Sequence, residues 1–160
     1  VSTTLRLYNR LTLYAQVGFA GGHQQFNSTE EYRCGFLGGG EYGGICSAIH
    51  ERGPDGQPTD EARVKAAAAS EIQYGPWIED ADFARLRLVG ARIDLPASWA
   101  ARLGASRADL TLTGENLALW TNYSGLDPEM NSAGADPAAR AEFLTLPPAR
   151  RVTRPISITF

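Results

Sequence analysis

The sequence contains no apolar run near the 18 or so residues that a membrane-spanning helix requires. A β-barrel is untouched by that exclusion, because only alternate strand residues face lipid, and a mean hydropathy of −0.25 suits one. Positive charge is also scarce: 15 Lys and Arg against 18 Asp and Glu leave a net charge of −3. No broad basic surface for nucleic acid follows. Histidine is limited to His23 and His50, and cysteine to Cys34 and Cys46. Neither pair has the spacing of a metal site, and no Ser/His/Asp or Cys/His arrangement supports catalysis. Gly38-Gly39-Gly40 is not followed by Lys-Ser or Lys-Thr, so it is no phosphate loop. The chain is expected to be no enzyme and to need no cofactor.

Two cysteines close together in a Gly-rich polar stretch read either as a disulfide closing a short loop or as two unpaired thiols. A bridge would place the chain in an oxidising compartment. The opening Val1-Ser2-Thr3-Thr4-Leu5 carries no signal peptide and is already in strand pattern, which reads as part of something longer.

What is present is alternation. Leu11, Leu13, Ala15, Val17 and Phe19 share one face of a strand, and Thr12, Tyr14, Gln16 and Gly18 share the other. Strands are predicted over about 2–8, 11–22, 83–95, 107–121 and 150–160. In the third, Val89, Ala91, Ile93 and Leu95 lie opposite Gly90, Arg92 and Asp94, but Arg85 and Arg87 fall in the apolar register. Either those arginines lie above a membrane or a bulge resets the faces. In the fourth, Ala108, Leu110 and Leu112 have one parity and Leu117 and Leu119 the other, which predicts a bulge near Gly114. The last strand alternates from Ile156 to Phe160 and ends on the aromatic. A soluble sheet seldom leaves such an edge open, whereas a closed membrane barrel has no edge.

The connections alternate in length. Asn9-Arg10 is a tight hairpin, 23–80 is a long loop, Pro96 to Gly104 is one helical turn stopped by glycine, and 122–148 is long again. Short turns inside and long loops outside is the rhythm of an outer-membrane barrel, which puts Phe160 at the periplasmic end and the long loops outside the cell. The first long loop holds two helix starts, a capping box at Ser28-Thr29-Glu30-Glu31 and an Ala-rich run opening at Thr59-Asp60-Glu61. Asp127-Pro128-Glu129 reads as a turn rather than a metal-binding carboxylate pair. Trp77, Trp120 and Tyr123 read as girdle aromatics near the outer strand ends, with platforms for a bound sugar ring as the alternative. A secreted, soluble all-β binding module with a lectin-like face is the competing reading of the whole.

Asp80-Ala81-Asp82-Phe83-Ala84-Arg85-Leu86-Arg87 followed by Leu95-Pro96 resembles a strand of SusC/RagA-type TonB-dependent outer-membrane transporters. So do Gly114-Glu115-Asn116-Leu117, Trp120 with Tyr123-Ser124-Gly125-Leu126-Asp127-Pro128-Glu129, and the Arg-rich approach to Phe160. Gly21-Gly22-His23 and Phe26-Asn27 resemble a loop entry of the same proteins. The resemblance covers 77–160 and 1–34 and is absent from the middle of the long loop. It implies an all-β architecture: about five carboxy-terminal antiparallel strands of a large transmembrane barrel, without the plug domain. It also implies that Ile156, Ile158 and Phe160 form the signal read by the barrel-assembly machinery. Asn116 and Leu117 would fix a bend rather than touch substrate. Implied partners are the remaining barrel and plug, the TonB complex, a SusD-like surface lipoprotein and outer-membrane lipids. The implied activity is import of glycan or peptide fragments.

Overall fold

A computed structural model describes residues 1–35, 46, 48–71, 73–134 and 140–160. Gly38-Gly39-Gly40 lies outside the described residues. The chain divides into two compact units. One comprises Val1–Ala20, Ala84–Trp120 and Pro148–Phe160; the other comprises Gly21–Phe83 and Thr121–Pro147.

The first unit is built on an antiparallel sheet of β1 (Ser2–Leu7), β2 (Leu11–Ala20), β5 (Phe83–Asp94), β6 (Arg107–Thr121), β8 (Arg151–Thr153) and β9 (Ile156–Thr159). Its order is β1-β2-β5-β6, with β8 and β9 both on the far side of β6. The β1–β2 hairpin turns at Tyr8 and Asn9, one residue earlier than expected. Both have positive φ, 50° and 55°, and Arg10 N–H donates to Leu7 O at 3.1 Å. Positive φ at both central residues is the hairpin turn whose twist matches its strands. Between β5 and β6 the short helix α3 (Ala97–Arg102) ends at Gly104, φ 69°. Gly104 N–H donates to Ala101 O and Ala105 N–H to Ala100 O, each at 3.0 Å, a Schellman stop requiring glycine's left-handed freedom.

The last predicted strand appears as two pieces on one partner. Its register against β6 runs unbroken, from Glu115↔Arg151 through Leu110↔Ile156 to Arg107↔Thr159. Pro155 interrupts it because proline has no N–H for the ladder, although its carbonyl still accepts from Thr111 N–H at 3.0 Å.

The second unit is more ordered than the long loops read from sequence. Within it β3 (Gln24–Asn27) pairs antiparallel with β4 (Ile78–Asp80) and parallel with β7 (Ala141–Glu142). Helix α1 (Ser28–Gly35) begins one residue earlier than the expected capping box: Asn27 Oδ1 caps it, accepting from Glu30 N–H at 3.1 Å. Helix α2 (Asp60–Glu71) is capped by Thr59, whose Oγ1 accepts from Ala62 N–H at 3.1 Å.

Candidate functional site

The sheet of the first unit has two chemically opposite faces. Hairpin register pairs Leu5 with Leu13 and Leu7 with Leu11 on one, and Ser2 with Gln16, Thr4 with Tyr14 and Arg6 with Thr12 on the other. Across the sheet the apolar face continues through Val89, Leu112, Gly114, Leu117 and Val152, which with Leu13 line one shallow apolar depression. Ile156 and Ile158 extend it beside β6. Its large side chains are exposed, among them Leu5 (53 %), Leu112 (49 %), Val152 (58 %) and Ile156 (67 %). An exposed apolar face running across a whole sheet marks contact with lipid or protein.

Two devices keep that face continuous. Carbon atoms added at Gly18 and Gly90 would strike Arg87 and the Tyr14 ring respectively. Gly18 and Tyr14 share one face of β2, so Arg87 and Gly90 share one face of β5 despite their opposite parity. One extra residue between them resets the strand, which returns the arginines to the polar side. In β6, Asn116 adopts φ 51° and Leu117 folds back over Gly114, where an added Cβ would come within 2.9 Å of it. The reset expected near Gly114 therefore sits at Asn116.

The polar face is held by cross-strand ion pairs. Arg92 donates to Asp109 at 2.9 Å, Arg107 to Asp94 at 3.0 Å, and Arg151 to Glu115 at 2.9 and 2.6 Å. Tyr14 reaches across β5 to Thr113, Oη to Oγ1 2.6 Å.

Of the three aromatics singled out from sequence, two are buried and one is exposed. Trp77 is fully buried and Tyr123 is 5 % exposed, so neither is a girdle residue or a ligand platform. Trp77 packs on the Cys34–Cys46 disulfide inside the second unit, with Phe26, Ile49 and Ala69 around them. Trp120 is exposed (57 %), and the reset at Asn116 gives it parity opposite to Leu117 and so turns it to the polar face, away from the girdle position and toward the side the ring-platform alternative requires. Asp127 is buried in a turn, its Oδ1 accepting from Glu129 N–H at 2.9 Å. Ile156 (67 %), Ile158 (42 %) and Phe160 (84 %) are exposed.

Sequence reasoning missed a charged network in the second unit. Lys65 is 5 % exposed, bridges Glu79 (3.2 Å) and Glu61 (3.1 Å), and lies 5.5 Å above the Trp77 ring. Burial alone would push the Lys65 ammonium down, but Glu79 and Glu61 outweigh it and hold its pKa above the usual value. Burial would likewise raise Glu79, but donation from the Ser124 hydroxyl (2.8 Å) and N–H (3.0 Å), with Lys65, holds it below the ordinary carboxylate range. A cleft of about 700 Å³ opens beside this network, lined by Glu30, Arg33, His50, Glu51, Glu61 and Lys65 among others. Its size falls in the range of small-ligand clefts. Glu30 lies near both cysteine sulfurs, but the disulfide leaves no thiolate to hold a metal. The one sequence signal for the network was the Ala-rich helix carrying a lone lysine.

No protein-family model matches the chain. By sequence it is 27 % identical over 95 residues to the TonB-dependent receptor P3 of Formosa agariphila, a match covering 59 % of this chain and 9 % of that protein. By structure it is similar to the RagAB peptide importer in its open-open state, with a TM-score of 0.64 at 22 % identity. In the closed-closed state the TM-score is 0.62 at 21 % identity. Each structural match covers 94 % of this chain and 16 % of the other. The chain thus has the fold of part of a RagA-type barrel, and it spans only a small fraction of the length of its relatives.

Proposed function

We propose that this chain forms the closing strands and two long outer excursions of an outer-membrane TonB-dependent nutrient importer of the SusC/RagA type. The observation that carries the reading is the two-faced sheet: an exposed apolar face on one side and an ion-paired polar face on the other. A barrel wall between lipid and lumen needs that arrangement. A soluble lectin-like module would instead cover the apolar face, and no covering element stands against it among the described residues.

On this reading Leu5, Leu112, Val152 and Ile156 meet lipid, and Tyr14, Arg92, Asp109 and Trp120 face the lumen or plug. The excursions 21–83 and 121–147 face outside the cell and meet a SusD-like lipoprotein, while TonB acts from the periplasmic side. Ile156, Ile158 and Phe160 supply the barrel-assembly signal. The cargo is a glycan or peptide fragment, and the cleft beside Lys65 and the exposed Trp120 are the surfaces offered to it.

The test is site-directed labelling of the full-length receptor in whole cells. Cysteines placed at Leu112 and Val152 should react with a lipid-soluble maleimide and resist a charged one, while cysteines at Thr12 and Gln16 should show the reverse within an opened barrel. Equal reactivity of both sets toward the charged reagent would overturn the membrane reading. Unimpaired growth on oligopeptide and glycan nutrients after deletion of the receptor gene would overturn the import reading.

A further inference from the structure

Arg154 stands on the apolar face of the first unit's sheet. Thr113 pairs with Thr153 and Leu110 with Ile156, and Thr111 N–H donates to Pro155 O, so Arg154 lies opposite Leu112. Leu112 belongs to the apolar face, and Arg154 has the parity of Val152 and Ile156 on either side of it. It is exposed there, in the break between β8 and β9. Arg150, also exposed, continues the same parity one residue before β8.

Nothing in the wall neutralises these two cations. The first unit carries ten arginines and no lysine against three acids. All three acids lie on the polar face and are taken: Asp94 by Arg107, Asp109 by Arg92 and Glu115 by Arg151. Neither Arg150 nor Arg154 makes an ion pair or a side-chain hydrogen bond among the described residues. An ionisable side chain among lipid-facing residues is costly and marks a functional site with a partner. The anion must therefore come from outside this sheet.

Depth narrows the choice. A rise of about 3.3 Å per residue and a tilt of about 40° put Arg150 about 25 Å and Arg154 about 15 Å above Phe160. The apolar band of such a barrel is about 25 Å tall. On the proposed orientation Arg150 thus meets the outer headgroup level, and Arg154 lies about 10 Å beneath it, where its long stem snorkels upward. The bacterial outer membrane is thinner than average, which shortens that reach. A carboxylate on the next strand would have to leave water for the same depth, whereas a lipid phosphate already sits at the boundary. The guanidinium fork also matches phosphate in a bidentate way.

We propose that Arg154 and Arg150 clasp the phosphate of one lipid in the outer leaflet. Below them on the same face, Leu110, Ile156 and Ile158 give its acyl chains an apolar bed. The inference rests on the membrane-wall reading above and adds to it one lipid with a fixed place beside the last strands.

The test uses the full-length protein, purified in mild detergent, stripped of lipid and titrated with lipid A or with lipid A whose phosphates have been removed. Native mass spectrometry counts the lipids bound. The wild type should hold one phosphorylated lipid and prefer it to the phosphate-free form about tenfold or more. Arg154→Gln should abolish that preference and Arg154→Lys should keep part of it. Arg102→Gln, at the opposite end of the sheet, should leave it unchanged. Equal binding of the two lipids by the wild type would overturn the proposal, as would a wild-type preference in Arg154→Gln. So would an experimental structure that pairs Arg154 with a carboxylate of a neighbouring strand or of a second copy. The Leu112 and Val152 cysteines separate the two possible failures. Resistance to charged maleimide without a phosphate preference sinks the lipid clasp alone, and full reactivity sinks the wall reading with it.

Discussion

Tyr14 lies across Gly90, with its ring in the space a side chain on β5 would fill and its hydroxyl 2.6 Å from Thr113 Oγ1 on β6. Three neighbouring strands are thereby linked by one side chain, and a glycine weak in strands becomes a seat for an aromatic ring. Gly90→Ala should destabilise the sheet by about 1–3 kcal/mol, because the ring must move and the Thr113 bond is lost. Tyr14→Phe should cost about 1 kcal/mol, the value of the hydrogen bond alone. Urea unfolding of the full-length protein measures both. In the double variant Gly90→Ala with Tyr14→Ala, the alanine at 90 should cost much less than it does alone. Additive costs would show that the ring and the glycine are not coupled.

The Lys65–Glu79 pair sets a pH window for the second unit. Glu79 sits below its ordinary value, so its stabilisation is full above about pH 4.3 and is lost as pH falls through the depressed folded value. Lys65 sits above its ordinary value, so its contribution is full below about pH 10.4 and is lost as pH rises through the raised one. Melting temperature against pH should therefore plateau between these limits. Glu79→Gln should flatten the acid limb without moving the alkaline one as far. Lys65→Ala should cost about 3–5 kcal/mol at neutral pH, since it strands a largely buried carboxylate. A flat acid limb in the wild type would contradict the assignment.

Cys34 and Cys46, 12 positions apart with Cα atoms 4.9 Å apart, form the floor on which Trp77 rests. Cys34→Ser with Cys46→Ser should cost about 2–4 kcal/mol, mainly by freeing the unfolded loop. Trp77→Ala should cost about 3–5 kcal/mol by leaving a cavity. Because the two changes open one cluster, their costs should fall short of additive. Thermal unfolding with and without reductant reads the first, and a melting temperature indifferent to reductant would contradict it.

Legibility followed periodicity. Strand β2 announces its two faces through nine alternating residues, and the parity breaks in β5 and β6 carry their own arithmetic, so the bulges could be expected from sequence. Caps and turn glycines were legible because their chemistry is local: Thr59 and Gly104 act within four residues of themselves. The small sheet was not legible. Its strands have four, three and two residues, too few for a period, and β7 meets β3 across more than a hundred positions. Trp77 and Tyr123 were misplaced for the same reason, since a lone aromatic between glycines and prolines carries no sign of what long-range pairing will bury it. The side taken by Trp120 follows from the parity step at Asn116, two residues beyond the glycine where the alternation placed it.

That step is itself testable. Asn116 holds φ 51°, where asparagine is among the few tolerated side chains, and its Nδ2 donates to Ala149 O at 3.2 Å. Asn116→Gly should fold with little loss, because glycine accepts the same backbone and forfeits only one exposed hydrogen bond. Asn116→Val should cost about 1–3 kcal/mol, since a β-branched residue resists positive φ. The strand has a second way to relieve that strain, by expelling the extra residue and reversing the parity beyond it. Leu117 and Leu119 would then exchange faces with Trp120. Labelling a cysteine at Leu119 in the Asn116→Val protein distinguishes the outcomes. A site that keeps its resistance to charged maleimide reports strain alone, and newly gained reactivity reports the reversal. We expect the strained strand to hold its register, because Glu115 remains bound to Arg151 on one side of the bulge and Leu117 remains packed over Gly114 on the other.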